Sequence, residues 1–277
     1  MPEEFYLKFW GVRGTVPVPG KTTLRYGGNT SCVEVRCGGR QIIFDAGTGL
    51  YALGNETDVF HTDILLSHTH LDHVQGLPFF RPLHKDISNV ALWAGHLLPE
   101  KTVEEVVCHI MQSPVFPLTL EDVESRVEFN DFVAGEALVN SGFEKAGITV
   151  NTMPLNHPDR ATAYRLHYHG KSACYVTDVE HVDSQLDQNM LTFIEGTDVF
   201  IYDCTFDDDN FSKYEGWGHS TWQHAVKLAN AANVKTLVVF HHDPVMTDDA
   251  LDARAEKLKI MRPDSVIAYE GLKIQLI

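Results

Sequence analysis

The hexapeptide 68–73, with the sequence His-Thr-His-Leu-Asp-His, constrains this chain more than any other feature. It follows a short apolar run of strand length, so the motif is expected where a strand ends. His68 and His70 are two residues apart, and in extended backbone their imidazoles project to the same side and can bind one metal ion. Asp72 and His73, just past the bend, can face a second ion a few ångströms away. The motif predicts a metal centre, and the fold has to bring the remaining ligands to it.

The rest of the sequence is typical of a globular protein with mixed strands and helices. Of its 277 residues, 44% are hydrophobic and 22% are charged, a composition that excludes disorder as the dominant state. No repeat, low-complexity tract or linker divides the chain, which favours a single domain over residues 1–277. Near the end of the chain, the pattern predicts a helix over 221–232 capped by Ser220, and a closing hairpin or strand pair over 267–277.

Charge and cysteine usage narrow the partners and the compartment. The formal net charge is −16, which repels polyphosphates and makes long nucleic acids unfavourable partners. The first residues, Met-Pro-Glu-Glu, lack the basic start and apolar run of an export signal, and no stretch of about 18 apolar residues predicts a membrane span. Five cysteines without a CxxC pair favour free thiols and a cytoplasmic location.

Four further segments resemble the motifs of one enzyme superfamily. They contain, in chain order, Asp45 in Phe-Asp-Ala-Gly-Thr-Gly, His157 in Pro-Leu-Asn-His, Asp178 in Tyr-Val-Thr-Asp and His241 in Val-Phe-His-His. With the hexapeptide, their order and local contexts resemble those of the metallo-β-lactamase fold metallohydrolases over nearly the whole chain. The resemblance implies an α/β fold, an αββα sandwich of two mixed β-sheets flanked by helices, with a two-metal centre at one edge of the sheets.

The same resemblance implies which residues bind the metal ions. The implied ligands of the first ion are His68, His70 and His157, those of the second are Asp72, His73 and His241, and the bridging ligand is Asp178. Such a set fits two Zn²⁺ ions, although Mn²⁺ or Fe²⁺ can occupy sites of this type. Asp45 is expected to orient ligands without binding metal itself. His242 competes with His241 for the last position, but strand alternation lets only one point inward, and His241 directly follows the apolar strand.

The segment Gly-Trp-Gly-His-Ser-Thr at 216–221 resembles the GHS/T motif of the phosphodiesterase branch, which includes the transfer-RNA 3′-end nucleases. In that branch, His219 would donate a proton to the leaving alkoxide or hold a phosphate oxygen. The alternative is an exposed histidine beside a helix cap. Together with Asp72 and Asp178, His219 completes the predicted catalytic residues.

Other polar residues carry weaker predictions. Arg13 and Arg25 lie in N-terminal runs that also resemble this branch and could bind phosphate, but a surface charge is the more common role of an arginine in a solvated loop. His181 and His224 have no usable ligand spacing, so ordinary core or surface placement is expected for them.

Hydrolysis is the expected chemistry, because two ions that share a water lower its pKa and stabilise charge on the attacked group. The first hypothesis is a metal-dependent phosphodiesterase that cleaves a small nucleotide-like or other small-molecule phosphodiester with a hydroxide bound to both ions. An RNA 3′-processing nuclease is less favoured because of the charge, unless a homodimer assembles a local basic groove. Two alternatives stay open: a carbonyl-ester hydrolase of the lactonase, β-lactamase or thioesterase type, and a non-catalytic binding module. Retention of all seven implied ligands argues against the last.

Overall fold

The structure is a computed structural model that describes residues 4–182 and 186–277; residues 1–3, part of the start considered for an export signal, lie outside these ranges. The described residues form thirteen β-strands and six α-helices. The strands are β1 (Phe5–Gly11), β2 (Cys32–Cys37), β3 (Arg40–Phe44), β4 (His61–Leu66), β5 (Asn89–Ala94), β6 (Arg126–Asp131), β7 (Thr149–Leu155), β8 (Ala161–Tyr168), β9 (Lys171–Val176), β10 (Val199–Asp203), β11 (Thr236–Phe240), β12 (Ser265–Ile267) and β13 (Lys273–Gln275). The helices are α1 (Gly49–Glu56), α2 (Leu71–Val74), α3 (Val103–Ile110), α4 (Gln188–Ile194), α5 (Trp222–Ala231) and α6 (Asp248–Met261).

The strands form two mixed sheets. The seven-stranded sheet has the order β13-β1-β2-β3-β4-β5-β6, antiparallel from β13 to β3 and parallel from β3 to β6. The six-stranded sheet has the order β12-β11-β10-β9-β8-β7, antiparallel from β7 to β9 and parallel from β9 to β12. In parallel strands all carboxyl ends lie at the same edge of the sheet, which is where open α/β sheets place their sites.

The two sheets pack face to face, and helices cover their outer faces. Between the sheets, the rings of Phe44 and Tyr175 stack with centroids 4.7 Å apart, in a buried hydrophobic cluster to which both sheets contribute side chains. Leu53 of α1 and Val107 of α3 are buried against the seven-stranded sheet, and Leu228 of α5 belongs to the cluster over the other. Burying each such side chain stabilises the fold by roughly 1.5–3 kcal/mol. This four-layer arrangement confirms the predicted αββα sandwich.

Two local predictions near the end of the chain are wrong. The N-cap of α5 is Thr221, whose Oγ1 accepts from the His224 backbone N–H at 3.1 Å, and the Ser220 hydroxyl instead contacts His181 Nδ1 at 2.7 Å. β12 and β13 do not pair with each other, because β12 extends the six-stranded sheet beside β11 and β13 extends the other sheet beside β1. A strand pattern predicts extended backbone, whereas its partner depends on which sheet edge lies within reach.

No α-helix in the described ranges has both the length and the apolar character needed to cross a lipid bilayer. The five cysteines are all free thiols, four of them buried and Cys108 exposed.

Candidate metal centre

The side chains predicted to bind metal come from strand ends that meet at one edge of the two sheets. His157 follows β7, Asp178 follows β9 and His241 follows β11. Asp178 and His241 have φ angles of 55° and 57°, in the left-handed region that residues other than glycine rarely adopt. Backbone of this kind concentrates where the surrounding fold holds a side chain in place for function.

His68, His70 and His157 form a first group, in which one ring nitrogen of each lies within 4.8 Å of the others. His70 Nδ1 is 3.2 Å from His157 Nε2. Oδ1 of Asp178 adjoins the group, 3.8 Å from His68 Nε2 and 3.9 Å from His157 Nε2. Three imidazole nitrogens and a carboxylate oxygen so arranged could surround one ion.

Asp72, His73 and His241 form a second group beside the first. His73 Nε2 lies 3.2 Å from Asp72 Oδ2 and 3.3 Å from His241 Nε2. Asp178 turns its other oxygen, Oδ2, toward this group, 3.2 Å from His73 Nε2 and 3.3 Å from His241 Nε2. Asp178 therefore lies between the two groups with one oxygen facing each, as a bridging carboxylate does in a two-metal site.

The ring nitrogens that face away from the centre have partners of their own. The contacts are Ser67 Oγ to His68 Nδ1 at 3.1 Å, Asp45 Oδ2 to His73 Nδ1 at 2.8 Å, the Gly218 carbonyl to His157 Nδ1 at 2.8 Å and Thr205 Oγ1 to His241 Nδ1 at 3.1 Å. Asp45 also accepts from the Tyr175 hydroxyl at 2.7 Å, so it is fixed behind His73. Partners of this kind set which nitrogen carries the proton and leave the other nitrogen for a metal ion.

Burial and mutual contacts set the charges of the groups. Burial holds the pKa of His68 well below its ordinary value, so its imidazole is neutral, as a metal ligand must be. Burial by itself raises the pKa of Asp178, but the imidazoles of His241 and His73 outweigh it and hold the pKa well below the usual range. Asp72 follows the same pattern, with its pKa lowered mainly by His73. Two buried carboxylates are therefore ionised, and the site favours positive charge beside them.

The donor set fits divalent cations. Nε2 of His68 is buried and has no hydrogen-bond partner among the described residues. An unpaired buried nitrogen is unfavourable, and a cation at this point would satisfy it while compensating both carboxylates. Five imidazoles with two carboxylates suit Zn²⁺ and similar transition metals better than Mg²⁺ or Ca²⁺, which prefer oxygen.

His219 lies at the rim of the two groups, with a partner that the sequence patterns did not indicate. Its Nδ1 is 2.9 Å from Asp203 Oδ2 and 3.7 Å from Asp178 Oδ1. Burial by itself lowers the pKa of His219, but the Asp203 and Asp178 carboxylates outweigh it and raise the pKa to about 9. Asp203 is fully buried and ends β10. The position of Asp203 at the end of an apolar strand is the sequence feature that could have indicated its place near the site.

Two glycine-containing loops approach the centre closely. A Cβ on Gly14 would lie 2.3 Å from Cε1 of His241, and one on Gly218 would lie 2.2 Å from Nδ1 of His157. The next residue after Gly14, Thr15, donates its backbone N–H to Asp72 Oδ2 at 2.6 Å. The N-terminal run therefore contributes backbone, with no side chain between it and the site.

Neither arginine faces the centre. Arg13 is 0% exposed, and its Nε donates to the Gly27 carbonyl at 2.8 Å, so the expectation of a surface charge is wrong for this residue. The loops around it supply backbone carbonyls that match its donors, which no local pattern reveals. Arg25 pairs at the surface with Asp249 and Asp252, which confirms the surface role.

The remaining histidines lie elsewhere. His242 Nε2 donates to the Ala268 carbonyl at 2.8 Å, away from the centre, so His241 is the member of the pair that faces it. His181 and His224 stack on each other with centroids 4.0 Å apart, outside both groups. His96, which the sequence patterns did not indicate, is buried with its Nε2 3.2 Å from Thr69 Oγ1.

Comparison with known proteins agrees with this geometry. Residues 40–242 match the family described as the beta-lactamase superfamily domain. The Ribonuclease Z of Picrophilus torridus is 24% identical over an alignment that covers 100% of this chain and 97% of that protein. Among solved structures, a diphosphatase of the PhnP family has a TM-score of 0.71 at 20% identity, covering 99% of this chain and 98% of the other. The short form of human tRNase Z has a TM-score of 0.69 at 18% identity, and the match covers 98% of this chain and 100% of the tRNase Z chain.

The fold and the family match define the class of this protein, a metal-dependent hydrolase of the metallo-β-lactamase fold. Because the matched residues make up most of the chain, the protein belongs to the beta-lactamase superfamily. Its fold implies divalent metal ions, in agreement with the clustered histidines and aspartates.

Proposed function

We propose that this protein is a phosphodiesterase that acts on a small-molecule phosphodiester. The observation that carries the proposal is the position of His219, 3.7 Å from the Asp178 carboxylate and paired with the buried Asp203. A proton donor at the rim of a metal centre suits a reaction whose leaving group is a poorly acidic alkoxide. An alkyl carboxylic ester also releases an alkoxide, so the preference for phosphorus over carbon rests on the resemblance of residues 216–221 to the motif of the phosphodiesterase branch.

We assign the metal ligands as the sequence implied. The first ion would be held by His68, His70 and His157, the second by Asp72, His73 and His241, and both by Asp178. When bound, two such ions supply a water of lowered pKa and positive charge for the phosphoryl oxygens. The nitrogen-rich donor set favours Zn²⁺, with Mn²⁺ or Fe²⁺ as alternatives.

The chain's own residues then have separable roles. Asp203 holds the imidazole of His219 through Nδ1, which leaves Nε2 to give a proton to the departing oxygen. Asp45 holds the ring of His73 and the Gly218 carbonyl holds the ring of His157, so in each ring the other nitrogen faces the centre, where it would bind an ion.

A cavity of about 960 Å³ beside His68 and His70 would receive the organic part of the substrate. Leu97, Val106 and Ile110 are among its lining residues. Its size is that of pockets that bind small molecules. The net charge of −16 adds to the case for a small substrate. We further propose that the chain acts as one domain in the cytoplasm, where its unpaired cysteines would stay reduced.

A ribonuclease acting at the 3′ end of transfer RNA is the second candidate. It is favoured by the relative named Ribonuclease Z, which aligns with the whole of this chain. The charge of the chain opposes it, since few counterions would be released from RNA by so acidic a protein, although a second copy of the chain could add basic surface.

Elemental analysis combined with a substrate panel tests the proposal. The panel contains bis(p-nitrophenyl) phosphate, an alkyl phosphodiester, a cyclic nucleotide, a precursor transfer RNA and nitrocefin, each with added Zn²⁺ or Mn²⁺. We expect hydrolysis of small phosphodiesters, loss of metal and activity together in His70→Ala, and loss of activity on the alkyl phosphodiester with retained metal in His219→Ala. Turnover of nitrocefin alone, or cleavage of the precursor RNA alone, would overturn the proposal, and full activity of His219→Ala would overturn the role of His219.

A further inference from the structure

Glu180 lies two residues after Asp178 and holds the loop that leads into His219. Its Oε1 and Oε2 accept from the Gly216 N–H at 2.9 and 2.8 Å. Oε2 also accepts from the Gly218 N–H at 2.7 Å. One half-buried carboxylate therefore satisfies two backbone donors of the turn that leads into His219.

The turn that Glu180 holds makes a direct contact with a proposed metal ligand. The Gly218 carbonyl accepts from His157 Nδ1 at 2.8 Å. A carbonyl only accepts, so Nδ1 carries the proton and Nε2 of His157 is left with a lone pair toward the centre. Gly218 has a φ of +84°, and an added Cβ would lie 2.2 Å from His157 Nδ1, so the contact is close and leaves little freedom.

The backbone of Glu180 holds the other side of the same contact. Its N–H donates to the Asn156 carbonyl at 2.8 Å, and Asn156 Nδ2 donates back to the Glu180 carbonyl at 2.9 Å. Asn156 directly precedes His157. Both partners of the His157–Gly218 hydrogen bond are thus attached to one residue, which fixes the separation between them.

We propose that Glu180 is a positioning residue that fixes the Nδ1-protonated tautomer of His157 and the placement of His219. It has no hydrogen bond or ion pair to the proposed metal ligands among the described residues, and it acts through Gly218. Outer partners of metal-binding histidines typically contribute 10–100-fold to metal affinity or activity. The kinetic part of this inference rests on the proposed phosphodiesterase function, whereas its effect on His157 and on metal affinity does not.

The test compares Glu180→Ala and Glu180→Gln with Glu215→Ala. Glu215 is an exposed carboxylate in the same loop, and no hydrogen bond or ion pair engages it among the described residues. Competition with a chelator measures the affinity for each of two Zn²⁺ equivalents. We expect Glu180→Ala to weaken one equivalent by about 10–100-fold and Glu215→Ala to leave both unchanged. Glu180→Gln should lower the zinc affinity by an intermediate amount. Its amide oxygen can still accept from the N–H groups of Gly216 and Gly218, but its NH₂ group would face the Gly216 N–H, and two donors repel each other.

Nitrogen NMR of the imidazole rings in metal-free protein provides a readout independent of metal and substrate, with the His157 signals assigned from a His157→Gln variant. We expect protonated Nδ1 in the wild type and in Glu215→Ala, and a mixture of tautomers in Glu180→Ala. An unchanged His157 tautomer in a folded Glu180→Ala variant would overturn the inference, as would equal metal loss in Glu215→Ala. Wild-type protein that binds metal but hydrolyses no phosphodiester would overturn the proposed function and leave this test intact.

Discussion

The imidazole of His219 donates from Nδ1 to the fully buried carboxylate of Asp203, across 2.9 Å, at the rim of the metal centre. The other oxygen of Asp203 accepts from the Thr205 N–H at 3.0 Å and the Thr205 hydroxyl at 2.8 Å, so the carboxylate itself is held firmly. Burial by itself would lower the pKa of His219, but the contact with Asp203 outweighs it and raises the pKa to about 9. In the metal-free site the pair thus favours a protonated imidazole beside the proposed reacting atoms.

Asp203→Asn should slow the cleavage of an alkyl phosphodiester by about 10²–10⁴-fold, because an amide no longer stabilises the protonated imidazole. Cleavage of bis(p-nitrophenyl) phosphate should fall much less, since p-nitrophenolate leaves without a proton. Steady-state kinetics on the two esters, with elemental analysis beside them, make the comparison. Equal losses on both esters would contradict proton donation. Loss of metal would instead indicate that the pair binds an ion, as the nearness of both side chains to Asp178 and His241 permits.

Gly14→Ala should weaken the second metal ion by about tenfold or more, because its methyl group would meet the His241 ring at 2.3 Å. The fold should persist, since the ring can move aside more easily than the backbone. Gly20→Ala is the matched control, with only Thr23 Oγ1 near its added Cβ, at 3.9 Å. Zinc titration of both variants measures the difference, and identical affinities would show that the loop does not bear on the centre.

Arg13→Met should lower the free energy of unfolding by about 2 to 5 kcal/mol, because it leaves buried carbonyls without donors. The Arg13 guanidinium donates from Nη1 to the Met246 carbonyl at 2.6 Å and from Nε to the Gly27 carbonyl at 2.8 Å. The comparison is Arg25→Met, whose side chain is 54% exposed in its ion pairs and should leave the urea midpoint nearly unchanged. Similar urea midpoints for the two variants would mean that Arg13 does not stabilise the loops that contain Gly27 and Met246.

Ile110→Trp should raise KM for phosphodiesters with a bulky organic group and leave KM for dimethyl phosphate unchanged. Ile110 lines the cavity of about 960 Å³ beside His68 and His70, and a larger ring there takes up room that the substrate would use. Ile260→Trp is the control, at a side chain that is 84% exposed on α6. A KM that rises equally for both esters, or for neither, would place the substrate elsewhere.

The sequence predicted the class of fold and the side chains that cluster at the edge of the two sheets, because its motifs resemble those of the metallo-β-lactamase fold hydrolases. Histidine and aspartate types at set spacings after apolar runs point to strand ends, and strand ends of parallel strands share an edge. His241 could be preferred to His242 for the same reason, since alternation along a strand is a local property.

Tertiary structure alone decided which groups contact these residues from outside the centre. The Gly218 carbonyl on His157, the carboxylate of Asp203 behind His219 and the burial of Arg13 all join segments far apart in the chain. Backbone carbonyls have no sequence signature, and the burial of a charge depends on which loops enclose it. The separate sheets of β12 and β13 follow the same rule, because a strand pattern specifies extended backbone while the available edge selects its partner.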